Sequence, residues 1–270
     1  MNSDSPCASA RCFVLTAGGT REPLDAVRHI SNVASGSLPA AIANELLCRG
    51  ATVYYIHGPE ARLPGHVSVQ LELMHDTAKL HEMLSLLNQR VLTLAAEVAG
   101  GHLHLLPIVR AVEAAEVLKT IVGQVHPEAV ACAMAVADWA PIFHAGKIAS
   151  QLLGTESELA IHLQPTPKAI DGVKAAWPAT RLLGFKLLAD ASEADLLSAA
   201  TRLLERSGAD AVFANDMREY RQGIRQGLLI SALPDHISRL HGGVGETGLQ
   251  KLAFHLANWL MPPAQQDCGR

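Results

Sequence analysis

The chain has 270 residues, a formal net charge of −4, and 49% hydrophobic but only 4% aromatic residues. This length allows a large domain with a well-buried aliphatic core, and mild acidity without a basic stripe argues against nucleic acid as the main partner. No apolar run reaches the length of a membrane span, and residues 1–12, which lack an apolar signal core, are predicted to form a flexible polar tail.

The cysteines and histidines add two further limits. The five cysteines are scattered and form no CxxC pair, which indicates a reducing, cytoplasmic location rather than a disulfide framework. Nothing near His102 and His104, which have strand spacing, completes a metal site, so we predict no metal held by protein ligands alone.

Short apolar segments alternate with segments of helical periodicity along the chain. Strands are predicted at 13–16, 52–57, 67–73, 103–108, 129–137, within 180–188 and at 211–214. Helices are predicted at 38–49, 77–88, 112–122 and 191–207, followed by a hairpin at 227–240 and a closing helix at 245–260. This order predicts an α/β fold, namely a Rossmann-like, doubly wound and mainly parallel sheet with a C-terminal hairpin and helix.

The predicted single domain spans residues 13–262, and two stretches interrupt its alternation. Residues 87–101 are interpreted as an insertion. Residues 140–167 are interpreted as a flexible active-site loop, because so long an irregular segment in a compact domain is usually functional. Residues 263–270 are predicted to be a disordered tail.

Polar groups collect after the first predicted strand, at the sheet edge where doubly wound proteins bind ligands. The turn of Gly18, Gly19 and Thr20 offers backbone N–H groups to an anion, although an ordinary tight turn explains it equally well. The loop RHISNVASG that follows has more hydrogen-bonding groups than a βα connection needs, which favours a polar ligand over a merely solvated loop. Its candidate residues are Arg28, Asn32, Ser35 and Gly36.

A second cluster, AVADWAPIFHAGKIAS, follows the buried strand that ends near residue 137. Asp138 at that point can accept a hydrogen bond from a ribose or base, help to hold a metal ion, or simply cap the next turn. Lys147 follows a glycine on the irregular segment, where a mobile point charge is well placed to meet phosphates. Three later stretches, LQPTPKAID, LGFKLLAD and GADAVFANDM, are each compatible with a turn, a core strand or a strand end.

Six of these motifs together resemble one enzyme family. TAGGTREPLDAVRHISNVASG, MAVADWAP, GKIAS, PTPKAI, GFKLLAD and GADAVFANDM occur in the order and approximate spacing of phosphopantothenate–cysteine ligase. The resemblance covers residues 14–260 apart from 87–101, and the stand-alone bacterial form is the most similar. It implies a ligase of coenzyme A biosynthesis that joins phosphopantothenate to L-cysteine through an acyl nucleotide, with release of pyrophosphate and then nucleoside monophosphate. It also implies CTP or ATP as co-substrate, Mg²⁺ with the triphosphate, and a homodimer.

The resemblance assigns roles to individual residues. It implies that Lys147 meets the phosphates and that Asn32 supports turnover of the acyl intermediate. The nucleotide-binding residues that it implies are Cys132, Ala133, Met134, Asp138, Pro167, Lys168, Ala169, Ile170 and Phe185. It places Ser35 and Gly36 beside phosphopantothenate. Reasoning from the residues themselves adds Gly18, Gly19, Thr20, Lys186 and Asn215 to the nucleotide site and Arg28 to the substrate site.

Departures from the family pattern leave two matters open. Ala34 stands where a small hydroxyl residue is common, Pro39 stands where a glycine is common, and residues 218–227 (REYRQGIRQG) differ. The helix before ANDM lacks the lysines of some relatives and has Arg202 and Arg206 nearby, which leaves CTP or ATP undecided. A non-catalytic relative that binds nucleotide or phosphopantothenate is therefore the alternative. A nicotinamide-dependent reductase is disfavoured because the first turn lacks GxGxxG.

Overall fold

The computed structural model describes residues 11–66, 76–148, 160–232 and 237–263. The strands are β1 (Cys12–Ala17), β2 (Arg21–Pro23), β3 (His29–Ser31), β4 (Thr52–His57), β5 (Leu103–Pro107), β6 (Ala129–Cys132), β7 (Trp139–Pro141), β8 (Leu163–Pro165), β9 (Arg181–Leu188), β10 (Ala211–Asp216), β11 (Ile224–Ser231) and β12 (Ile237–Val244). The helices are α1 (Ser37–Cys48), α2 (Thr77–Ala99), α3 (Ala111–Val125), α4 (Val173–Ala176), α5 (Glu193–Ser207), α6 (Met217–Arg221) and α7 (Gly245–Leu260).

The main sheet has the strand order β12-β11-β10-β9-β6-β1-β4-β5. All neighbours from β5 to β10 pair in parallel, whereas β11 and β12 add an antiparallel hairpin at one edge. The predicted doubly wound sheet with a C-terminal hairpin and closing helix is therefore confirmed. Because the chain adds β4 and β5 on one side of β1, and β6, β9 and β10 on the other, the order reverses between β1 and β6, where such folds bind ligands.

The strands are apolar on both faces because helices cover both faces of the sheet. In β1, Phe13 and Leu15 pack with α1 and α7, whereas Val14 packs with the layer of α3 and α5. All three side chains are fully buried. This double burial explains why the strands appear in the sequence as continuous apolar runs.

An ionic cluster anchors the amino ends of the strands, opposite the reversal. Glu128 accepts hydrogen bonds from Arg11 Nη2 at 2.6 Å and Arg181 Nη2 at 2.8 Å, and Arg181 also donates to the last carbonyl groups of α7. The Arg11 hydrogen bond is the main cause of a lowered pKa at Glu128, and the two positive charges reinforce it against partial burial. The cluster ties α7 to the sheet at the end remote from the candidate site.

The structure revises the predicted boundaries in four places. Arg11 and Cys12, predicted to end a flexible tail, belong to the ionic cluster and to β1. Residues 87–99 continue the helix that begins at Thr77, so most of the segment interpreted as an insertion is the second half of α2. The predicted strand at 129–137 ends at Cys132, after which the chain bonds to the first turn. The ends of the irregular segment 140–167 contribute to an antiparallel ladder of β7 and β8.

Four other expectations fall partly or wholly outside the described residues, among them the tails predicted at 1–12 and 263–270, of which residues 1–10 and 264–270 are not described. The strand predicted at 67–73 lies outside them, as do residues 149–159 of the irregular segment. Within the described part of the chain, no helix combines the length and the hydropathy that a bilayer crossing requires.

Candidate active site at the reversal of the sheet

A cleft of about 1380 Å³ opens at the carboxyl edge of the main sheet. It passes over the edge from one helical layer to the other, so that Leu118 of α3 and Leu203 of α5 line one side. Leu38 of α1 and Leu249 of α7 line the opposite side. The ends of β1, β6, β9 and β10 form its floor, which places the cleft at the reversal of strand order.

Basic side chains dominate the charged lining of the cleft. They are Lys168, Lys186, Arg202, Arg206, Arg221 and Arg225. The acidic lining residues are Asp138 and Glu205. A positively charged concavity in a chain of net charge −4 concentrates and orients anionic ligands, because low-dielectric walls focus the field of the charges.

Most of the predicted site residues line this cleft. They are Asn32, Ser35, Gly36, Cys132, Ala133, Met134, Asp138, Lys168, Ala169, Ile170, Phe185, Lys186 and Asn215. The predicted residues that lie outside its lining are Gly18, Gly19, Thr20, Arg28, Lys147 and Pro167. Segments separated by more than a hundred residues of chain therefore meet at a common surface.

The turn formed by Gly18, Gly19 and Thr20 lies outside the cleft lining and supports the segments that form it. Gly18 has φ +76°, and a Cβ atom at Gly19 would lie 2.3 Å from the carbonyl oxygen of Asn32, so both positions favour glycine. Thr20 is buried, and its Oγ1 accepts a hydrogen bond from Ala137 N at 3.1 Å. The turn thus positions the Asn32 loop and residues 135–137, whereas nucleotide contact by the turn itself stays a prediction.

Asn32 stands between these two segments. Its Nδ2 donates to the carbonyl oxygen of Ala135 at 3.3 Å, and Ala135 N in turn donates to Gly18 O at 2.8 Å. One amide donor is therefore engaged with the backbone after β6. The side chain is nevertheless exposed at the cleft surface, where its remaining hydrogen-bonding groups can meet a ligand.

The side of the cleft near α3 and α5 offers backbone and ionic groups. Asp138 forms an ion pair with Lys168, and Thr166 Oγ1 donates to the carbonyl oxygen of Ala137, so the segment after β8 is held across the end of β6. Burial raises the pKa of Cys132 to about 12, so this thiol stays neutral and is not a nucleophile near neutral pH.

The side near α1 is built from hydroxyl groups. Ser35 Oγ lies 2.7 Å from Ser37 Oγ and 3.3 Å from the hydroxyl oxygen of Tyr220. Gly36, with φ +68°, precedes the helix and leaves it without a side-chain cap. Tyr220 belongs to α6, so the segment after β10 closes over the Ser35 loop.

A small substructure carries Arg28 and Lys147. We name it the hairpin platform, and it consists of residues 21–31, with β2 and β3, together with residues 139–148 and 160–165, with β7 and β8. Backbone hydrogen bonds join its parts, from His144 N to Leu24 O at 2.9 Å and from Ala26 N to Gly146 O at 3.0 Å. Lys147 is exposed on the platform and does not contribute to the cleft lining.

Asp25 is the tie at the centre of the hairpin platform. Its carboxylate is fully buried and accepts hydrogen bonds from Val27 N at 2.9 Å and Arg28 N at 2.7 Å through Oδ1, and from Ile148 N at 3.0 Å through Oδ2. Arg28 completes the tie, because its Nη2 donates to Ile148 O at 3.1 Å. Burial alone would raise the pKa of Asp25, but these hydrogen bonds and the Arg28 charge hold it below the ordinary value.

Arg28, predicted to bind substrate, thus has a structural partner in Ile148. Lys147 precedes that residue, so Asp25 and Arg28 fix the backbone from which the lysine side chain extends. Sequence reasoning did not single out Asp25, although its position between two predicted site segments was a usable signal.

Sequence reasoning also left out part of the cleft lining. The lining residues that it assigned no role are chiefly Thr16, Tyr220, Arg221, Arg225 and Gln226. The last four lie in the segment that departs from the family pattern, and its arginines were the available signal. Thr16 ends a buried strand, and its Oγ1 accepts from Met134 N at 3.0 Å, a contact that residue patterns do not reveal.

The fold and the cleft define an α/β protein whose ligand site lies at the topological switch point and favours an anionic, elongated ligand. Comparison with protein families is consistent with this class. The chain belongs to the family described as the C-terminal domain of DNA/pantothenate metabolism flavoproteins, which it matches over residues 8–100 and 91–230.

Relatives of known sequence support the same assignment. The chain is 31% identical over 207 residues to the coenzyme A biosynthesis bifunctional protein CoaBC of Thermococcus kodakarensis, an alignment that covers 77% of this chain and 41% of that protein. It is 41% identical over 88 residues to CoaBC of Mycolicibacterium smegmatis, covering 32% of this chain and 21% of the relative. The chain thus spans less than half the length of these relatives.

Solved structures show the same fold. The DNA/pantothenate metabolism flavoprotein from Streptococcus pneumoniae superposes with a TM-score of 0.68 at 22% identity, covering 93% of this chain and 96% of that one. A histidine-to-alanine variant of Cab2, solved in complex with phosphopantothenate-cysteine, superposes with a TM-score of 0.70 at 21% identity, covering 92% and 85%. At these identities the likeness establishes the fold.

The Asp25 tie leads to a testable prediction about the loop that carries Lys147. Asp25→Asn keeps an oxygen for Val27 and Arg28 but turns an amide group toward Ile148 N, so that two donors face each other. We expect the Ile148 amide to exchange its hydrogen at least about 10-fold faster than in the unchanged protein, because a hydrogen bond to a charged acceptor is lost. Hydrogen-exchange mass spectrometry of peptides that contain Ile148 measures this, with Asp190→Asn at an exposed loop position as the matched control.

The same variant has a defined pH dependence. Because the folded pKa of Asp25 is lowered from 3.8, the carboxylate stabilises the fold above that value, and the stabilisation is lost as pH falls through the lower folded pKa. The melting-temperature difference between the unchanged protein and Asp25→Asn should therefore be full at neutral pH and shrink below pH 3.8. A difference that stays constant as the pH falls below 3.8 contradicts the role given to the carboxylate.

Proposed function

We propose that this chain is a phosphopantothenate–cysteine ligase that works through an acyl-nucleotide intermediate in coenzyme A biosynthesis. The observation that carries the proposal is that most of the family-like segments, far apart in sequence, line one basic cleft at the reversal of the sheet. The family membership of the chain and the names of its relatives support the same activity.

The first chemical step would activate a carboxylate that is otherwise inert toward an amine. The carboxylate oxygen of phosphopantothenate attacks the α-phosphorus of the nucleoside triphosphate, and the bond to the leaving pyrophosphate breaks. Charge builds on the transferring phosphoryl group, so positioning and cationic groups supply most of the catalysis. The lysines and arginines of the cleft are suited to this neutralisation.

The nucleotide is assigned to the side of the cleft between β6, β8 and α5. The backbone of Cys132, Ala133 and Met134 lines it, and Asp138 with Lys168 stands at its rim. A ribose hydroxyl would take up the Asp138 carboxylate in place of part of the Lys168 ion pair. Lys168 would then be released toward the phosphates.

The second chemical step, transfer of the acyl group to cysteine, is proposed to take place beside the Asn32 loop. The amine of cysteine attacks the acyl carbonyl carbon, the bond to the nucleotide phosphate oxygen breaks, and nucleoside monophosphate leaves. Asn32 is held by its contact with Ala135 O, so its amide can orient the acyl carbonyl or the incoming amine without changing protonation. Ser35 and Gly36 line the side assigned to phosphopantothenate.

Lys147 is proposed to act from outside the cleft lining. Its backbone is fixed next to Ile148 by Asp25 and Arg28, while its side chain is exposed and carries a flexible four-carbon stem. A lysine so placed can bring its ammonium group to the phosphates when the triphosphate is bound, and withdraw when pyrophosphate leaves.

Magnesium is proposed to enter with the nucleotide. Among the residues that the structure describes, no three histidine, cysteine or acidic side chains come together as a metal site. The oxygens of a triphosphate supply the ligands that Mg²⁺ prefers, so the ion can be held mainly by the co-substrate. Either CTP or ATP is compatible with a site lined by the backbone after β6.

One observation supports the alternative function, a relative that binds nucleotide or phosphopantothenate without catalysis. Both departures from the family loop, Ala34 and Pro39, line the cleft itself. Pro39 removes an N–H group near the start of α1, where a phosphate-binding residue would be useful. A relative that binds nucleotide or phosphopantothenate without turnover would share all the other features.

A panel of triphosphates decides between ligase and binder. We expect pyrophosphate release when the protein is mixed with phosphopantothenate, L-cysteine, Mg²⁺ and either CTP or ATP, since the cleft provides the cationic groups for activation. The measurement is coupled pyrophosphate detection, with each substrate omitted in turn as control. Release no higher than in those controls, for every triphosphate, overturns the ligase proposal, and binding without release favours the alternative.

The two catalytic assignments predict a separation of steps. Asn32→Ala should release about one pyrophosphate per protein and accumulate the acyl nucleotide, because activation does not need its amide. Lys147→Ala should lose pyrophosphate release itself, by about 10²-fold or more, because charge neutralisation is lost. Single-turnover quenched flow measures both, with Lys251→Ala on α7 as the surface-lysine control. Normal turnover by Asn32→Ala removes the role assigned to that residue.

A homodimer is part of the proposal, and the hairpin platform supports it. Large apolar side chains are exposed on this substructure, among them Trp139 at 55%, Ile142 at 59% and Phe143 at 54%. Clustered exposed apolar residues mark association surfaces. A second copy of the chain is the proposed partner, and because Lys147 lies four residues after Phe143, association would also steady the catalytic loop.

The dimer proposal predicts a mass change in one variant. The unchanged protein should run at twice the chain mass of 28.7 kDa in size-exclusion chromatography with light scattering, and Phe143→Glu should shift it to the monomer because a charge cannot be buried at an apolar contact. Leu92→Glu is the control, since Leu92 on α2 is 64% exposed outside the platform. An unchanged protein that is monomeric at high concentration contradicts the proposal.

A further inference from the structure

The segment of residues 218–227 has no assigned part in the proposed chemistry, yet it forms much of the cleft near α1. Tyr220, Arg221, Arg225 and Gln226 all line the cleft. Arg225 is the member of this group whose placement the structure specifies most fully.

The Arg225 guanidinium is held in a fixed plane. Its Nη1 donates to the carbonyl oxygen of Tyr220 at 2.8 Å, and its Cζ lies 4.2 Å from the centroid of the Tyr220 ring. The pairing of β11 with β12 shifts register between Arg225 and Gln226. Irregularities of this kind re-aim side chains and are common beside active sites.

One donor of this fixed guanidinium is left without a protein acceptor. Arg225 Nε is buried, and none of the described residues offers it a hydrogen-bond partner. The Oε1 atom of the neighbouring Glu219 accepts from Gln226 Nε2 at 2.7 Å rather than from Arg225. A buried, charged donor without an acceptor is costly, and such groups usually have a functional explanation.

Arg225 also connects to the loop assigned to phosphopantothenate. The Tyr220 ring that it stacks on carries the hydroxyl that lies 3.3 Å from Ser35 Oγ. Arg225, Tyr220 and Ser35 therefore form one continuous surface within the cleft. An anionic group beside Ser35 would lie on the same surface as the Arg225 guanidinium, with the Tyr220 side chain between them.

We propose that Arg225 recognises an oxyanion of a substrate on the α1 side of the cleft. This inference rests on the proposed ligase function for the identity of the substrates. Apart from the triphosphate, two of their oxyanions stay charged throughout the reaction, the phosphate ester of phosphopantothenate and the carboxylate of cysteine. Both present paired oxygens that match the guanidinium fork.

Matched substrate pairs test the inference and separate the two sources. Phosphopantothenate and pantothenate differ by the phosphate, and cysteine and cysteamine differ by the carboxylate. Binding of all four is measured by calorimetry to the unchanged protein and to Arg225→Gln, Arg225→Lys and Arg218→Gln. Arg218 is the control because it is exposed and lies outside the cleft lining. Where turnover is observed, KM and kcat are measured with the same pairs.

We expect the unchanged protein to prefer the charged member of at least one pair. Arg225→Gln should reduce that preference by about 10- to 100-fold, because it weakens binding of the charged ligand and leaves binding of the neutral ligand unchanged. Arg225→Lys should keep part of the preference, and Arg218→Gln should keep all of it. Loss of the phosphate preference identifies phosphopantothenate as the source, and loss of the carboxylate preference identifies cysteine. Equal weakening of charged and neutral ligands, or no preference in the unchanged protein, overturns the inference.

Failure of the inference is distinguishable from failure of the proposed function. An active ligase in which Arg225→Gln keeps both preferences leaves the function standing and removes the role of Arg225. A protein without pyrophosphate release that nevertheless loses a charged-ligand preference in Arg225→Gln supports the inference and removes the ligase. Melting temperatures of the variants show whether each is folded.

Discussion

The reversal of strand order between β1 and β6 is the constraint on which the rest of the site depends. Because the sheet grows outward from β1 through β4 and β5 on one side, and through β6, β9 and β10 on the other, the connections diverge after β1 and β6 and leave a crevice at the carboxyl ends of these two strands. Hydrogen-bonded loops form the base of this crevice, since Thr20 N donates to Ala135 O, Ala135 N donates to Gly18 O and Ala137 N donates to Thr20 Oγ1. Asn32 joins the same backbone through Ala135 O. A rigid, hydrogen-bonded floor is thus available to both halves of the cleft.

The cationic side chains around the cleft differ in how firmly the protein holds them. Arg202 Nη1 donates to Ser198 Oγ at 2.6 Å and Arg206 Nε lies 3.3 Å from Asp171 Oδ1, so both guanidinium groups are held on the α5 side. Lys147 extends freely from a backbone that Asp25 fixes. Fixed arginines can orient a ligand, whereas a mobile lysine can follow charge that moves during a reaction, so this division suits transfer chemistry.

The sequence sufficed for the fold because the signals were local and repeated. Apolar strands, periodic helices and the glycine after α1 are each encoded within a few residues, and the structure confirms their order. The site was partly predictable, because the ends of parallel strands must meet at one edge, as Asp138 and Asn215 do. Packing across the chain was not predictable. The burial of Thr20, the tie at Asp25 and the continuous helix through residues 87–99 each depend on partners that no local pattern specifies.

The segment of residues 218–227 shows why a departure from a family pattern is informative. A substitution on a solvated surface would require no compensation, but these residues form a connected set in which Glu219 engages Gln226 and Tyr220 supports Arg225. Each contact satisfies one neighbour and leaves Arg225 Nε as the buried donor that the described protein groups do not satisfy. Because the carbonyl group and ring of Tyr220 hold the guanidinium of a cleft-lining residue, the departure keeps a charged, oriented group in the site, for which an anionic ligand is the proposed partner.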